Sequence, residues 1–325
     1  MNAPARLGAY GLGVLLAFGV AYAVAGRVVP DDVVERWEQR SRTTHHAASM
    51  TEGPSVTVPG VSLSGGAYHL SPVRAPGAVG TTGHLTFRVL DADETPLTRF
   101  RTTHEKDLHL IVVRSDGEHF RHVHPQLDAA TGTWTVPWTW NAAGTYRVYA
   151  DFTPDDGADG LTLTRTVDVA GPLRPVTDRA VTTRDHVDGV DLTLSGDLVA
   201  GRESELTVTV TCKGSPVTTL QPYLGAFGHL VALRDGDLAY LHAHPRGAAP
   251  EAGTTSGPTI AFVAEPPTPG RYLLYLDVSI DGRVRTAEFV VDATTADGVA
   301  PSQDPAGADT HTHSHTDQGP NGGTP

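Results

Sequence analysis

Short runs of alternating apolar and polar residues dominate the chain from about residue 64 to residue 291. Representative runs are LTFRV at 85–89, LTLT at 161–164 and LTVTV at 206–210, and Gly, Pro and Asp residues lie between them. A period of two puts apolar side chains on one face of a strand, and regularly spaced turn residues are typical of antiparallel sandwiches. The pattern predicts a mainly β protein with two tandem antiparallel Ig-like or cupredoxin-like β-sandwich domains.

The beginning of the chain has a different pattern. Residues 7–25 (LGAYGLGVLLAFGVAYAVA) carry no charge and are flanked by Arg6 and Arg27. At about 1.5 Å per residue, a helix of this length spans a bilayer's hydrocarbon core. The run ends in Ala-Val-Ala, which fits a signal-peptidase site, so a cleaved signal peptide stays an alternative. We predict a transmembrane helix or signal anchor and a single-pass cell-membrane protein with the bulk of the chain outside the cytoplasm.

Composition shifts divide the chain into predicted segments. Ala-Gly-Pro-Leu-Arg-Pro at 170–175 makes a natural linker, and the Asp-, Gly-, Thr- and Pro-rich end of the chain cannot bury a core. The segments are an N-terminal tail (1–6), the membrane segment (7–28), an amphipathic helix and stalk (29–63), β-sandwich 1 (64–171), β-sandwich 2 (172–294) and a disordered His-containing tail (295–325).

An internal repeat relates the two predicted sandwiches. Residues 96–125 match 216–245 without a gap at an offset of 120, and the offset grows to 126 where the Gly-x-Tyr-x-x-Tyr-x-Asp motif of 144–151 recurs at 270–277. Both copies keep a His-Leu-x-x-x-Arg motif, a His-x-His-Pro motif and the final Asp. The sequence therefore predicts a duplicated domain in which these residues occupy equivalent places.

The turn chemistry predicts where the first set of histidines lies. Asp116-Gly117 favours a two-residue hairpin turn, and folding about it pairs residues whose numbers sum to 233. His109 then faces His124, and His122 lies on the same face because strand side chains alternate. Directly opposed Cβ atoms are roughly 4.5–5.5 Å apart, so three imidazoles can converge on one ion.

The second hairpin repeats this arrangement. A turn at Gly236-Asp237 gives the sum 473, which pairs His229 with His244 and places His242 beside them. An aspartate ends the Tyr-rich strand of each repeat, and such a carboxylate either ligates a metal or orients a ligating imidazole. We predict one metal site in each sandwich, and the candidate metal residues are His109, His122, His124, Asp151, His229, His242, His244 and Asp277.

Other residues of the repeat have more ordinary interpretations. The tyrosines at 146, 149, 272 and 275 fit core packing, and Arg114 and Arg234 fit pairing with a carboxylate. His104 and His119 are not duplicated, since Leu224 and Ala239 replace them, and both are considered as extra ligands.

Composition narrows the chemistry of the site. The chain has 16 His but one Cys, Cys212, and two Met, which excludes an intramolecular disulfide and thiolate metal clusters. Imidazole with carboxylate suits Cu(II) or Zn(II) and disfavours a Cys-dependent type 1 copper centre. The net charge of −13, with no basic cluster, argues against nucleic acid as a partner. The HTHSH tract at 311–315 adds a loose chelating segment or a merely polar end.

Four segments of the chain resemble a known family: HEKDLHLIVVR at 104–114, FRHVHP at 120–125, GTW at 132–134 and YRVYADF at 146–152. The sequence is similar to actinobacterial membrane-anchored or secreted proteins of uncharacterised activity. The resemblance implies Ig-like β-sandwich domains and a link to heavy-metal handling, particularly of copper. It covers roughly residues 65 to 290.

Three functional hypotheses follow. The leading one is a non-enzymatic, membrane-tethered extracytoplasmic protein that buffers or delivers Cu(II) or Zn(II), with an unknown protein partner. A bicupin-like metalloenzyme is the second, since His-x-His on a hairpin also belongs to the cupin motif, with Asp128 as the acidic residue in the first copy and none in the second. The third is a non-metal interaction module on a stalk.

Overall fold

The structure is a computed structural model that describes residues 60–177, 179–251 and 253–297. These residues lie in one compact unit, Val58–Pro325. The predicted membrane segment, most of the predicted stalk and nearly all of the predicted tail fall outside the described residues. Within the described ranges, no helix is long and apolar enough to cross a membrane.

The first domain is a sandwich of two five-membered layers. One sheet has the order β1-β2-β3-β8-β7, and the other has the order β10-β9-β5-β6 with β4 paired to β9. The strands are β1 (Ser64–Gly65), β2 (Tyr68–Leu70), β3 (Thr82–Asp91), β4 (Phe100–Arg101), β5 (Leu108–Arg114), β6 (Arg121–Val123), β7 (Gln126–Asp128), β8 (Thr133–Thr139), β9 (Gly144–Pro154) and β10 (Leu161–Val169).

The second domain has two layers that β18 joins, because this strand pairs with β17 on one side and β19 on the other. The order is β11-β12-β14-β19-β18-β17-β20-β21-β13, with β15 on β14 and β16 on β20. The strands are β11 (Arg184–Val187), β12 (Val190–Ser195), β13 (Leu198–Val199), β14 (Ser204–Cys212), β15 (Ser215–Pro216), β16 (Leu220–Gln221), β17 (His229–Arg234), β18 (Tyr240–Pro245), β19 (Thr259–Ala264), β20 (Gly270–Ile280) and β21 (Arg283–Thr294).

The predicted fold class, mainly β with tandem sandwich domains, is confirmed. The hairpin registers are confirmed as well, since Ile111 pairs with His122 in β5–β6 and Val231 pairs with His242 in β17–β18. These pairs give the expected sums of 233 and 473. The turn residue Gly117 adopts a φ of +81°, a conformation that a side chain disfavours.

Each sandwich has its own apolar core, and a third cluster joins the two domains. Leu110 and Val112 of β5 pack into the first core, whereas their neighbours Ile111 and Val113 pack with Leu233 of the second domain. Strand β5 is buried at every position for this reason. The outer faces of β5–β9 and of β17–β20 therefore pack against each other, which explains the uninterrupted apolar runs in β5 and β17.

Hydrogen bonds across this domain interface are reciprocal. Tyr149 of the first domain donates its hydroxyl to the Leu238 carbonyl at 2.6 Å, and Tyr275 of the second donates to the Gly117 carbonyl at 2.5 Å. Phe120 stacks on Tyr275 with ring centroids 4.0 Å apart. Each domain thus places a strand tyrosine on the hairpin turn of the other, as equivalent surfaces do in a two-fold dimer.

Candidate metal centre at the domain interface

The faces of β5–β9 and β17–β20 that pack against each other also carry the candidate ligands. His109 on β5 pairs with Asp151 on β9, and His229 on β17 pairs with Asp277 on β20. Because paired residues of antiparallel strands share a face, each histidine and its neighbouring aspartate point towards the opposite domain. The register of the first hairpin adds His124 beside His109 on that face. The sequence repeat therefore becomes a cluster of polar groups between the domains.

Three imidazole nitrogens of the first hairpin converge. His109 Nδ1 lies 3.0 Å from His122 Nε2 and 3.2 Å from His124 Nε2. Two nitrogens that bind one Zn(II) at about 2.0–2.1 Å with tetrahedral angles lie roughly 3.3 Å apart. The nitrogen spacing of the first hairpin is thus close to an edge of a metal coordination sphere.

A fourth histidine comes from the second domain. The His229 ring stacks on His109, with centroids 5.3 Å apart and an interplanar angle of 11°. Ligand atoms of His109, His122 and His229 all lie within 4.8 Å of one another. We call His109, His122, His124 and His229 the four-His centre.

Outer hydrogen bonds hold two of these rings. His109 Nε2 lies 3.0 Å from the Thr103 carbonyl, and His122 Nδ1 lies 2.9 Å from Asp277 Oδ2. A carbonyl and a carboxylate accept hydrogen bonds, so both nitrogens donate. On the neutral ring of His109 the lone pair is then on Nδ1, which faces the Nε2 atoms of His122 and His124.

Burial favours the uncharged form of three of these rings. Desolvation and the neighbouring His122 lower the pKa of His109 to about 4 and that of His124 to about 3. Desolvation also lowers the pKa of His229 well below its usual value. Neutral imidazole is the form that binds metals, so these rings are ready to ligate at neutral pH.

The aspartates are held by equivalent threonines. Thr162 Oγ1 donates to Asp151 Oδ1 at 2.8 Å, and Thr286 Oγ1 donates to Asp277 Oδ1 at 2.6 Å. Asp277 then uses its other oxygen to accept from His122 of the first domain, and both side chains are at most 4% exposed. A carboxylate in this position orients a ligating imidazole and raises its basicity.

A cavity of about 190 Å³ adjoins the centre on the side of Asp151. His109 and His229 form the boundary between the centre and this cavity. The cavity is also lined by His104 and the exposed His244, and the His104 ring lies 5.6 Å from that of His229.

These positions correct the expected grouping by domain. The sequence assigned Asp277 to the second-domain site and Asp151 to the first, but Asp277 binds His122 of the first domain, and Asp151 lines the cavity with His244 of the second. The groups lie between the sandwiches and not separately within each one. For His242 the structure describes only the backbone, which pairs with Val231.

Sequence reasoning found most of the centre but not its interdomain nature. The signal was present, since an apolar run without alternation, as in β5, indicates a strand buried on both faces. His104, considered as an extra ligand, sits at a tight turn with φ +50° and lines the cavity. His119, in contrast, is exposed near the hairpin turn.

The ordinary interpretations of other repeat residues hold. Arg114 forms two 2.8 Å bonds to Asp116, and Arg234 pairs with Asp237 in the same way. All four tyrosines are buried, but they divide between two roles, since Tyr146 and Tyr272 lie in the sandwich cores. The other two belong to the cluster between the domains.

The fold and the site define a tandem β-sandwich protein with a histidine cluster at the interface of its two domains. The chain belongs to the family described as Domain of unknown function (DUF8832), whose model matches residues 62–171 and 185–295. The two matches correspond to the two sandwiches. No curated protein matches the chain.

Several solved structures share a general likeness. A DUF4426 family protein from Pseudomonas aeruginosa is 13% identical, with 37% of this chain and 95% of that chain covered and a TM-score of 0.25. A Salmonella alpha-2-macroglobulin mutant is 17% identical, with 75% of this chain and 15% of that chain covered and a TM-score of 0.24. The Yersinia pseudotuberculosis adhesin InvE is 16% identical, with 69% of this chain and 57% of that chain covered and a TM-score of 0.21. At TM-scores below 0.5 these likenesses carry no argument about function.

Proposed function

We propose that the protein binds a divalent metal ion, Cu(II) or Zn(II), at the four-His centre and serves in metal buffering or delivery. The observation that carries the proposal is the convergence of His109 Nδ1, His122 Nε2 and His124 Nε2, with the lone pair of His109 Nδ1 fixed by the outer hydrogen bond to Thr103. Several imidazole nitrogens directed at one place are the arrangement that a zinc or copper ion requires.

The donor set supports the choice of metal. Neutral imidazoles suit Zn(II) and Cu(II), and a nearby carboxylate bonded to one ring completes the usual arrangement around such ions. Three nitrogens at one ion leave a fourth position of a tetrahedral site for a water or a further imidazole.

The sequence adds the proposed location. An uncharged run at 7–25 would tether the sandwiches at the outer side of the cell membrane, and the stalk would hold them away from it. We further propose that the HTHSH tract at 311–315 gathers ions near the domains.

A cupin-type enzyme is less well supported. Asp128, the acidic residue that this alternative requires, is exposed at the end of β7. There it accepts hydrogen bonds from the Ala130 amide and the Thr131 hydroxyl. Its carboxylate thus belongs to its own turn, which favours binding over cupin-like catalysis.

Calorimetric titration of the full-length chain with Cu(II) and Zn(II) tests the proposal. The reference protein carries Ala at 311, 313 and 315, so that the tail does not contribute. We expect one tight ion, and a His122→Ala/His124→Ala variant that binds it more than about 100-fold more weakly, since even changes outside the ligand set cost 10–100-fold.

The matched control is His84→Ala/His186→Ala, because both histidines are exposed strand residues outside the centre. Its affinity should equal that of the reference protein. Equal affinities for the reference and the His122/His124 variant, or no binding by the reference, would overturn the proposal.

A further inference from the structure

The cavity beside the four-His centre is lined by the kinds of side chain that bind metal ions. Its position follows from the reciprocal interface, in which each domain contributes a hairpin with a His-x-His motif and a strand that ends in Asp. In the first half, the hairpin of domain 1 meets Asp277 of domain 2. The equivalent second half combines the hairpin of domain 2 with Asp151 of domain 1.

The cavity is where this second half lies. It is lined by His229 and His244 of the second hairpin and by Asp151 of the first domain. Asp151 is fixed by Thr162 through Oδ1, just as Thr286 fixes Asp277. In both halves, an aspartate of one domain that is fixed by a threonine lies beside histidines of the other domain.

One residue distinguishes the second half. A tight two-residue turn, closed by bonds between Thr103 and Lys106, puts His104 on the cavity wall, 5.6 Å from His229 by ring centroids. The equivalent turn between Tyr223 and Ala226 carries the buried Leu224. Only the second half thus gains an imidazole from this turn among the described residues.

Size and charge also suit a hydrated cation. A volume of about 190 Å³ has room for an ion and several waters. Asp107 and Asp151 line the cavity with a single lysine, Lys106, so the carboxylates outnumber the ammonium group. Such a balance favours a cation.

We propose that this cavity binds a second divalent ion through His229, His244 and His104, with Asp151 as a further ligand or as the group that orients one, and that His109, His122 and His124 then hold the first ion. The inference rests on the proposed function of the four-His centre and extends it to a pair of ions. The second ion lies against an open cavity with an exposed histidine, so it exchanges with solvent, whereas the first is enclosed. The second site is then the place of loading and release.

Metal analysis of the full-length chain with Ala at 311, 313 and 315 tests this inference. In calorimetric titration of the metal-free protein with Cu(II), we expect two ions per chain, one tight and one weaker. His244→Ala should abolish the weaker ion and leave the affinity of the tighter one within threefold. His124→Ala should mainly weaken the tighter ion.

Electron paramagnetic resonance supplies an independent readout. Two Cu(II) ions in adjoining sites give a dipole-coupled spectrum, and His244→Ala should convert it to that of an isolated ion. The control His186→Ala should retain the coupled spectrum. The melting temperatures of the metal-free variants, measured alongside, show that each variant is folded.

The outcomes separate the two proposals. One tight ion that is unaffected by His244→Ala, with no dipolar coupling, refutes the second site and leaves the proposed function intact. Loss of the tight ion in His244→Ala also refutes it, since His244 would then belong to the first centre. No bound ion refutes both.

Discussion

The two halves of the domain interface are built from the same motifs but differ in exposure. His109 and Asp277 of the first half are each 3% exposed, whereas their equivalents His229 and Asp151 are only half-buried. His124 is half-buried, and its equivalent His244 is exposed. A duplicated sequence thus yields one enclosed and one open half.

Small differences in the chain accompany this contrast. The first domain interrupts its strand between β6 and β7, whereas β18 runs continuously through Pro245. The turn before the first hairpin carries His104 where the second carries Leu224, and both residues adopt positive φ, +50° and +57°. The backbone of the turn is kept while its side chain changes, so the scaffold is duplicated but the chemistry is not.

The largest expected effect is a loss of stability when the apolar cluster between the two domains is weakened. Leu233 is fully buried in the cluster between the domains, so Leu233→Ala should lower the free energy of unfolding by about 2–5 kcal/mol. Val284→Ala, at a 46% exposed position, should change it by less than about 0.5 kcal/mol. Urea unfolding followed by tryptophan fluorescence measures both, and similar losses in the two variants would contradict a tightly packed interface.

The next effect distinguishes the two aspartates. Asp277→Asn removes the carboxylate that orients His122, and we expect about 10–100-fold weaker binding of the tight ion. Asp151→Asn should leave that ion's affinity unchanged, because Asp151 belongs to the other half. Calorimetric titration with Zn(II) measures both.

An exposed His–Asp pair provides the control for this comparison. His186 and Asp191 lie 2.7 Å apart on the surface of the second domain, so Asp191→Asn should bind as the reference does. If Asp151→Asn weakened binding of the tight ion as much as Asp277→Asn does, the assignment of Asp277 alone to the first half would be wrong.

A smaller effect should test the reciprocity of the interface. Tyr149→Phe and Tyr275→Phe each remove one buried hydroxyl bond to a turn carbonyl of the opposite domain. Each should cost about 1 kcal/mol of unfolding free energy, and the two costs should agree within about 0.5 kcal/mol. Thermal unfolding by calorimetry measures them. A cost in one variant only would show that the two contacts are not equivalent.

The smallest effect should come from making the two turns alike. His104→Leu places the second domain's residue at a turn of the same conformation, so stability should change by less than about 0.5 kcal/mol. The tight ion should bind unchanged, and only the weaker ion should be lost or weakened. Titration with Cu(II) checks this, and a weakened tight ion would place His104 in the enclosed half.

The sequence predicted those parts of the site that depend on local geometry. The alternation of apolar residues gave the sandwiches, and the Asp116-Gly117 turn gave the register that puts His109 opposite His124. It did not predict the bond between His122 and Asp277, which are 155 residues apart. Such a pairing depends on how the domains dock, and no periodicity within one strand encodes it.

A crystal structure of the metal-loaded protein, with anomalous diffraction at the metal edge, locates the ion directly. We expect an anomalous peak between the domains, bound by His109 Nδ1, His122 Nε2 and His124 Nε2 at about 2.0–2.1 Å, with Asp277 on the far side of His122. A loaded protein whose only peaks lie at surface histidines, or inside a single sandwich, would contradict it.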